Sequence, residues 1–271
     1  MRAFSPAFRH AVAAPGGTAW YWLNGRQRRA ALGNYAAALD LEVSDPEVAR
    51  IARRAFQNYG RMVLDFLLMG SLTKDELIQR TDIDGLEHLD AALARGRGVI
   101  IALPHMGSWD NTGSYGGALG YPIMAVTGRF PGSLNDAVVQ TRRRYGLEVL
   151  LVGRPAVREI IQALSANRMV GLVCDQEEGP GVEVRFFGLR AIVPGGPASL
   201  AMKTGAALVP GYQYVNSSGR HHIHLEAALS WPDGGSKEEL MQRIVHRFEA
   251  YIRERPDQWY AFRPIFKAER G

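Results

Sequence analysis

After Gly96-Arg97-Gly98, short apolar runs alternate with helical segments through most of the remaining chain. That rhythm, more than any other feature, limits the folds open to this sequence, because fully apolar strands separated by helices must be covered on both faces. Strands are expected near 98–103, 122–127, 147–152 and 169–174, with helices near 106–119, 133–145 and 155–167 between them. Two further strands, near 207–214 and 221–229, flank a hairpin turn at Ser217-Ser218-Gly219, and a helix near 237–254 follows. The predicted fold is α/β, with a mostly parallel central sheet flanked by helices.

Upstream, Ser44-Asp45-Pro46-Glu47 marks a helix start, since Asp45 can cap free amides and Pro46 suits the first turn. From Val48 the apolar residues, among them Ile51, Ala55, Phe56, Tyr59 and Met62, fall on one helical face, with Arg50, Arg53, Arg54 and Arg61 largely off it. Such a helix can pack on its own domain or lie in a lipid interface, and Trp20-Tyr21-Trp22 allows the same two readings. With 271 residues, one domain is expected: an N-terminal helical segment over 1–80, able to touch a membrane, and an α/β catalytic core over 81–271.

Composition removes several classes. A single cysteine, Cys174, excludes an internal disulfide framework and a cysteine-based zinc finger. No apolar run approaches the roughly 18–20 residues that span a bilayer, and the first residues lack the form of a secretory signal. The balance of 32 Lys+Arg against 27 Asp+Glu, a net +5, suits an anionic substrate, a lipid surface or nucleic acid without choosing among them.

In a sheet of this kind ligands collect at the carboxyl ends of the strands. There the run Val99–Leu103 leads directly into Pro104-His105-Met106-Gly107-Ser108-Trp109-Asp110. A helix starting just after His105 would put Asp110 about one turn on, within reach of an imidazole N–H. A histidine so held can take a proton from a hydroxyl, the general-base task of acyl transfer; local capping or packing is the alternative. A second buried run, Met169–Cys174, ends in Asp175-Gln176-Glu177-Glu178, and Gly181-Val182-Glu183-Val184-Arg185-Phe186-Phe187-Gly188 follows.

These residues resemble a family. His105-Met-Gly-Ser-Trp-Asp110 is similar to the H-x4-D/E motif of the bacterial lipid acyltransferases, which include the lipid A lauroyl and myristoyl acyltransferases and the phosphatidylinositol mannoside acyltransferase. Asn135 with Arg142-Arg143-Arg144-Tyr145-Gly146, Asp175-Gln176 with Val182–Gly188, Pro256-Asp257-Gln258-Trp259, and Arg26 to Leu39 with Asn34 resemble further family stretches in the family's order. The resemblance implies a lysophospholipid- or glycerolipid-acyltransferase-like αβ fold, and transfer of a long-chain acyl group to a lipid hydroxyl. The donor would be acyl-CoA or acyl carrier protein and the acceptor a membrane phospholipid or glycolipid, with no metal or other cofactor. It also implies a peripheral protein at the cytoplasmic face of the bacterial inner membrane.

Residue by residue, His105 would be the base, Asp110 its support, and Glu183 the later acid that pairs with it, with Glu178 as fallback. Arg143 or its neighbour Arg142, together with Arg129, Asp175, Trp109 and Glu178, would contact substrate. Cys174, in a buried strand, is not expected to be a nucleophile. Pro194-Gly195-Gly196-Pro197 could turn backbone amides toward an oxyanion or form a plain turn. His221, His222 and His224 alternate along a strand without a carboxylate at fixed spacing, against a zinc site. The basic clusters match no nucleic-acid motif, so no nucleic-acid partner is expected. Two rival functions remain: a hydrolase using the same dyad on water, although G-x-S-x-G is missing, and a lipid-binding protein without catalysis.

Overall fold

The structure is a computed structural model that describes residues 6–128, 132–153, 156–179, 181–231 and 234–268. Three helices lead: α1 (Pro6–Leu23), α2 (Gly25–Leu39) and α3 (Pro46–Met69). Asp45 caps α3 by accepting the Glu47 amide at 2.7 Å, as its sequence predicts. Val48, Ile51, Ala52, Ala55, Phe56 and Met62 of α3 are buried, so most of its apolar stripe packs inward. The Trp20-Tyr21-Trp22 cluster divides: Trp20 sits against Phe56, Tyr59 and Phe262, Tyr21 is buried, and Trp22 is exposed.

The chain continues through α4 (Lys74–Gln79), β1 (Thr81–Asp84), α5 (Leu86–Leu93), β2 (Val99–Leu103), α6 (Trp109–Ala118), β3 (Ile123–Thr127), α7 (Ser133–Arg144) and β4 (Glu148–Leu151). Then come α8 (Ala156–Ser165), β5 (Met169–Val173), β6 (Gly181–Phe186), β7 (Leu189–Pro194), α9 (Gly196–Thr204), β8 (Ala207–Val215), β9 (His221–Leu225) and α10 (Lys237–Glu254). The predicted strands and helices appear within a few residues of their expected ends. Strands β1, β6 and β7 and helices α5 and α9 are additions; the Gly-Pro segment read as a turn opens α9, with Pro197 in its first turn.

Seven strands form one sheet in the order β1-β9-β8-β2-β5-β3-β4, while β6 and β7 form a separate antiparallel pair. All neighbours in the large sheet run parallel except β8 and β9, which are joined by the predicted hairpin. Alternation along β2 sends Ile100 and Ala102 into the core with α8, α9 and α10, and Val99, Ile101 and Leu103 into the core with α5 and α6.

Strand β5 lies between β2 and β3, with α6 and α7 packed together on one side of the sheet and α8, α9 and α10 on the other. The sheet also opens there. Pairing of β3 with β5 ends at Ala125–Gly171, beyond which β3 stays with β4 and β5 with β2. A switch point of this kind is where α/β sheets hold ligands.

Candidate active site

His105 follows β2 by two residues and Asp175 follows β5 by two. Because Leu103 is in register with Val173, the two side chains emerge at the same level on adjacent strands. Asp175 Oδ1 accepts the His105 backbone amide at 3.0 Å and lies 2.6 Å from Nδ1. Its Oδ2 accepts Trp259 Nε1–H at 2.7 Å. Asp175 is wholly buried, whereas the His105 side chain keeps 26% of its surface open. Burial raises the Asp175 pKa, but the His105 charge and the hydrogen bonds from His105 and Trp259 outweigh it, leaving the carboxyl below its ordinary value. Burial likewise disfavours the imidazolium, and the charge and hydrogen bond of Asp175 more than offset that, so the His105 pKa rises. An ionised Asp175 therefore holds the proton on Nδ1 and leaves Nε2 as the basic nitrogen.

The loop that carries His105 is fixed by the C-terminal segment. Tyr260 N donates to His105 O at 2.8 Å and Gly107 N to Gln258 O at 3.0 Å. Gly107 is needed at its φ of +60°, since a Cβ there would stand 2.0 Å from Gln213 O. The C-terminal segment is anchored in turn by α2: Asn34 Nδ2 donates to the carbonyls of Ala261 and Arg263, and the Tyr35 hydroxyl to that of Trp259. Trp259 and Asn34 thus have positions in the site that the sequence reading left without a role.

Asp110 does not hold His105. It is the second residue of α6, whose Ser108 cap turns it toward α7, and its carboxylate accepts Arg142 Nε at 2.7 Å with both side chains about nine-tenths buried. Arg142 Nη1 is buried without a hydrogen-bond partner and Arg142 lines the main cavity; Arg143 is exposed on α7. Glu183 does not reach the histidine either. In β6 the side chains alternate, Val182, Val184 and Phe186 inward and Glu183 outward, where it pairs with Arg190 across the hairpin at 2.9 Å. Asp175, expected to contact substrate, is too deeply buried for that and instead orients His105. Arg129 lies outside the described residues.

Trp109 stands edge-on to the His105 ring, 5.4 Å between centroids. His105, Trp109 and Glu178 are shared by two cavities. The larger, about 510 Å³, enters where β3 and β5 part. It is mostly apolar, with one lobe under α6 (Ile101, Leu103, Ala125) and another toward α8 and α9 (Val157, Ile160, Leu200). The smaller, about 300 Å³, lies beneath the N-terminal helices and joins Trp20, Tyr59 and Tyr260 to Gln27, Gln176 and Arg263. Both volumes suit small-ligand sites of roughly 300–1,000 Å³. Cys174 also borders the larger cavity, but burial and the neighbouring Asp175 push its thiol well above its ordinary pKa. His221 and His222 are occupied with Gln213 and Asn216, and among the described residues no group of His, Cys, Asp or Glu is placed to hold a metal.

The fold and site define an α/β protein with an imidazole propped by a buried acid at the mouth of an apolar cavity. Comparison with known proteins makes that class an acyltransferase. The chain belongs to the bacterial lipid A biosynthesis acyltransferase family, whose model matches residues 2–268. It is 33% identical to the phosphatidylinositol mannoside acyltransferase of Mycobacterium tuberculosis (strain CDC 1551 / Oshkosh), over 79% of this chain and 70% of that protein. With the enzyme of the same name from Mycolicibacterium smegmatis it shares 32% identity over 81% of this chain and 73% of the relative. The lipid A biosynthesis acyltransferase of Haemophilus influenzae is more distant, 22% identical over 69% of this chain and 59% of the other.

Proposed function

We propose that the protein transfers a long-chain acyl group from an acyl thioester, acyl-CoA or acyl carrier protein, to a hydroxyl of a membrane glycolipid or phospholipid. The observation that carries this reading is the Trp259–Asp175–His105 chain ending at the junction of two cavities. His105 Nε2 takes the proton of the acceptor hydroxyl as its oxygen attacks the thioester carbonyl. The tetrahedral intermediate then collapses, expelling the thiolate, which takes the proton from His105. No acyl-enzyme is needed, because a thioester is already activated and orientation supplies much of the remaining barrier lowering.

The apolar cavity suits the acyl chain. The smaller one suits a polyol or sugar headgroup, since aromatic faces, amides and Arg263 offer stacking, hydrogen bonds and a cationic fork for phosphate. Arg142, which lines the main cavity and keeps a buried Nη1 without a hydrogen-bond partner, suits a carbonyl or phosphate oxygen of the donor. The phosphatidylinositol mannoside relatives favour that class of acceptor over a lipid A precursor, and the parallel sheet and strand-end histidine fit the lysophospholipid-acyltransferase-like fold. Among the described residues no helix is long and apolar enough to cross a membrane. Exposed Val12, Trp22 and Leu23 on α1, with Arg28 over the Trp22 ring, support peripheral attachment to the inner-membrane surface.

The test supplies purified protein with long-chain acyl-CoA or acyl carrier protein, with and without phosphatidylinositol mannoside, lipid A precursor or lysophospholipid in vesicles, and reads products by mass spectrometry. Acylated acceptor that forms only when acceptor is present, and is lost in His105→Ala, is expected. Free fatty acid released at the same rate with or without every acceptor would make the protein a hydrolase; no thioester consumption at all would leave a lipid-binding protein.

A further inference from the structure

We infer that Gly171 sets the length of acyl chain this protein accepts, by keeping open the deep end of the lobe under α6. The inference rests on the acyl-binding role proposed above and names the residue that would govern its specificity. Gly171 is in the interior of β5, in register with Ile101 on β2 and Ala125 on β3. A glycine there weakens a strand, because it forgoes side-chain packing and gains freedom in the unfolded chain. Neither usual reason for one applies. Its φ is not among the positive ones, and a Cβ built on it would meet no heavy atom within 4 Å; at Gly107 both reasons hold. What the glycine preserves is empty space, and that space belongs to the cavity that begins at His105.

The register gives the depth. His105 and Asp175 stand at the top, Leu103 and Val173 one layer down, Ile101, Gly171 and Ala125 the next, and Ile123, opposite Met169, the last. At about 3.3 Å per residue the lobe descends about 20 Å from His105 to Ile123, the extended length of roughly sixteen carbons, each bond of about 1.5 Å advancing a zigzag chain by about 1.3 Å. The walls at each layer are apolar, with no charged side chain below Asp110 and Arg142 among the lining residues. Gly171 lies one layer above the end. A branched side chain there would close off the last 7 Å or so, which is roughly five methylenes. The lining toward α8 and α9, with Ile160 and Leu200, belongs to the other face of the sheet from Ile101 and its register partner Gly171.

The experiment titrates a graded series of even-numbered saturated fatty acids into wild-type protein and into Gly171→Val, by calorimetry, and repeats the series as acyl-CoA donors in the transfer assay. Wild-type affinity should climb about fourfold with each methylene until the chain reaches Ile123, then level off. In Gly171→Val the plateau should begin up to about five carbons earlier, with the shorter acids bound as before and the optimal donor shortened by the same amount. Ala125→Leu, at the same depth on the neighbouring strand, should shorten the plateau too and guards against one variant failing to fold. Gly171→Ala should fold with an equal or higher melting temperature, since its Cβ has room.

An unchanged plateau in both Gly171→Val and Ala125→Leu, uniform weakening at every chain length, or no saturable binding by the wild type would overturn the inference. A plateau that moves in Leu200→Phe and not in Gly171→Val would put the chain in the other lobe, with the same result. Because binding is read without turnover, a protein that measures chain length but transfers no acyl group from any thioester would refute the proposed reaction and leave Gly171 in its role.

Discussion

Replacing Asp175 by asparagine removes one charge and one acceptor at the point where three donors converge. The carboxylate accepts from the His105 amide, from His105 Nδ1 and from Trp259 Nε1. If the asparagine oxygen faces His105, its NH2 opposes the Trp259 N–H; if the oxygen faces Trp259, the NH2 opposes both His105 donors. One buried donor loses its partner either way, a cost of about 1–3 kcal/mol in stability. In the second arrangement Nδ1 must become an acceptor, which moves the proton to Nε2 and removes the base. The same change in Ser-His-Asp triads lowers kcat by about 10⁴ through the wrong tautomer, so a loss of at least about 10³, or roughly 4 kcal/mol of barrier, is expected here.

The pH profile carries the sign. A base must be unprotonated, so the rate rises with pH through the His105 pKa, which Asp175 holds above its ordinary value against the effect of burial. Without that charge burial dominates, and the acidic limb of the asparagine variant should move to lower pH while its plateau falls. Following carrier-thiol release from a long-chain thioester across pH measures both. Activity within a few-fold of wild type with the limb unmoved would refute the pairing.

Four further outcomes follow. Trp259→Phe, which drops the N–H to Asp175 and shrinks a wholly buried indole to a phenyl ring, should cost about 2–4 kcal/mol in chemical denaturation from the lost hydrogen bond and the cavity left behind and shift the acidic limb in a repeat of the pH assay. Arg142→Ala strands the buried Asp110 carboxylate and should destabilise by about 3–5 kcal/mol, seen as a lowered denaturation midpoint; Asp110→Asn with Arg142 intact should affect the thioester KM more than the pH limb. Glu183→Gln breaks a half-exposed pair with Arg190 and should leave transfer unchanged and stability within about 0.5 kcal/mol. For stability against pH, the depressed Asp175 pKa contributes above its unfolded value and is lost as pH falls through the folded one, whereas the raised His105 pKa contributes at low pH and is lost as pH climbs through it; thermal melts should show the stability of the pair greatest between the two, and the Asp175→Asn variant should flatten that dependence.

The alternation of apolar runs with helices carried the sheet and its flanking layers, because period and capping are local properties. His105 was legible for a related reason: it lies where a buried strand gives way to a loop. Its partner was not. Sequence spacing favours Asp110, five residues away, whereas the carboxylate that meets the ring is seventy residues on and becomes a neighbour only because β5 inserts between β2 and β3. Strand order is set by how the helices pack, and the apolar rhythm is the same for any order. Glu183 illustrates the opposite case. Its place in the alternation Val182-Glu183-Val184-Arg185-Phe186 already pointed it away from a buried face, so the strand pattern held better information than the motif match. Trp259 gave the weaker signal of a large aromatic in a tail, and its N–H found a partner only through the docking of that tail against the β2–α6 loop.

The claim on which the account turns is that Asp175 holds a proton on His105 Nδ1 and leaves Nε2 bare toward the cavities. Nitrogen NMR of the imidazole in ¹⁵N-histidine-labelled protein, assigned with His105→Gln and followed over pH, reads this directly. A neutral ring protonated at Nδ1 is expected, with a strongly deshielded Nδ1 proton that disappears in Asp175→Asn. A neutral ring protonated at Nε2, unaffected by that substitution, would contradict it.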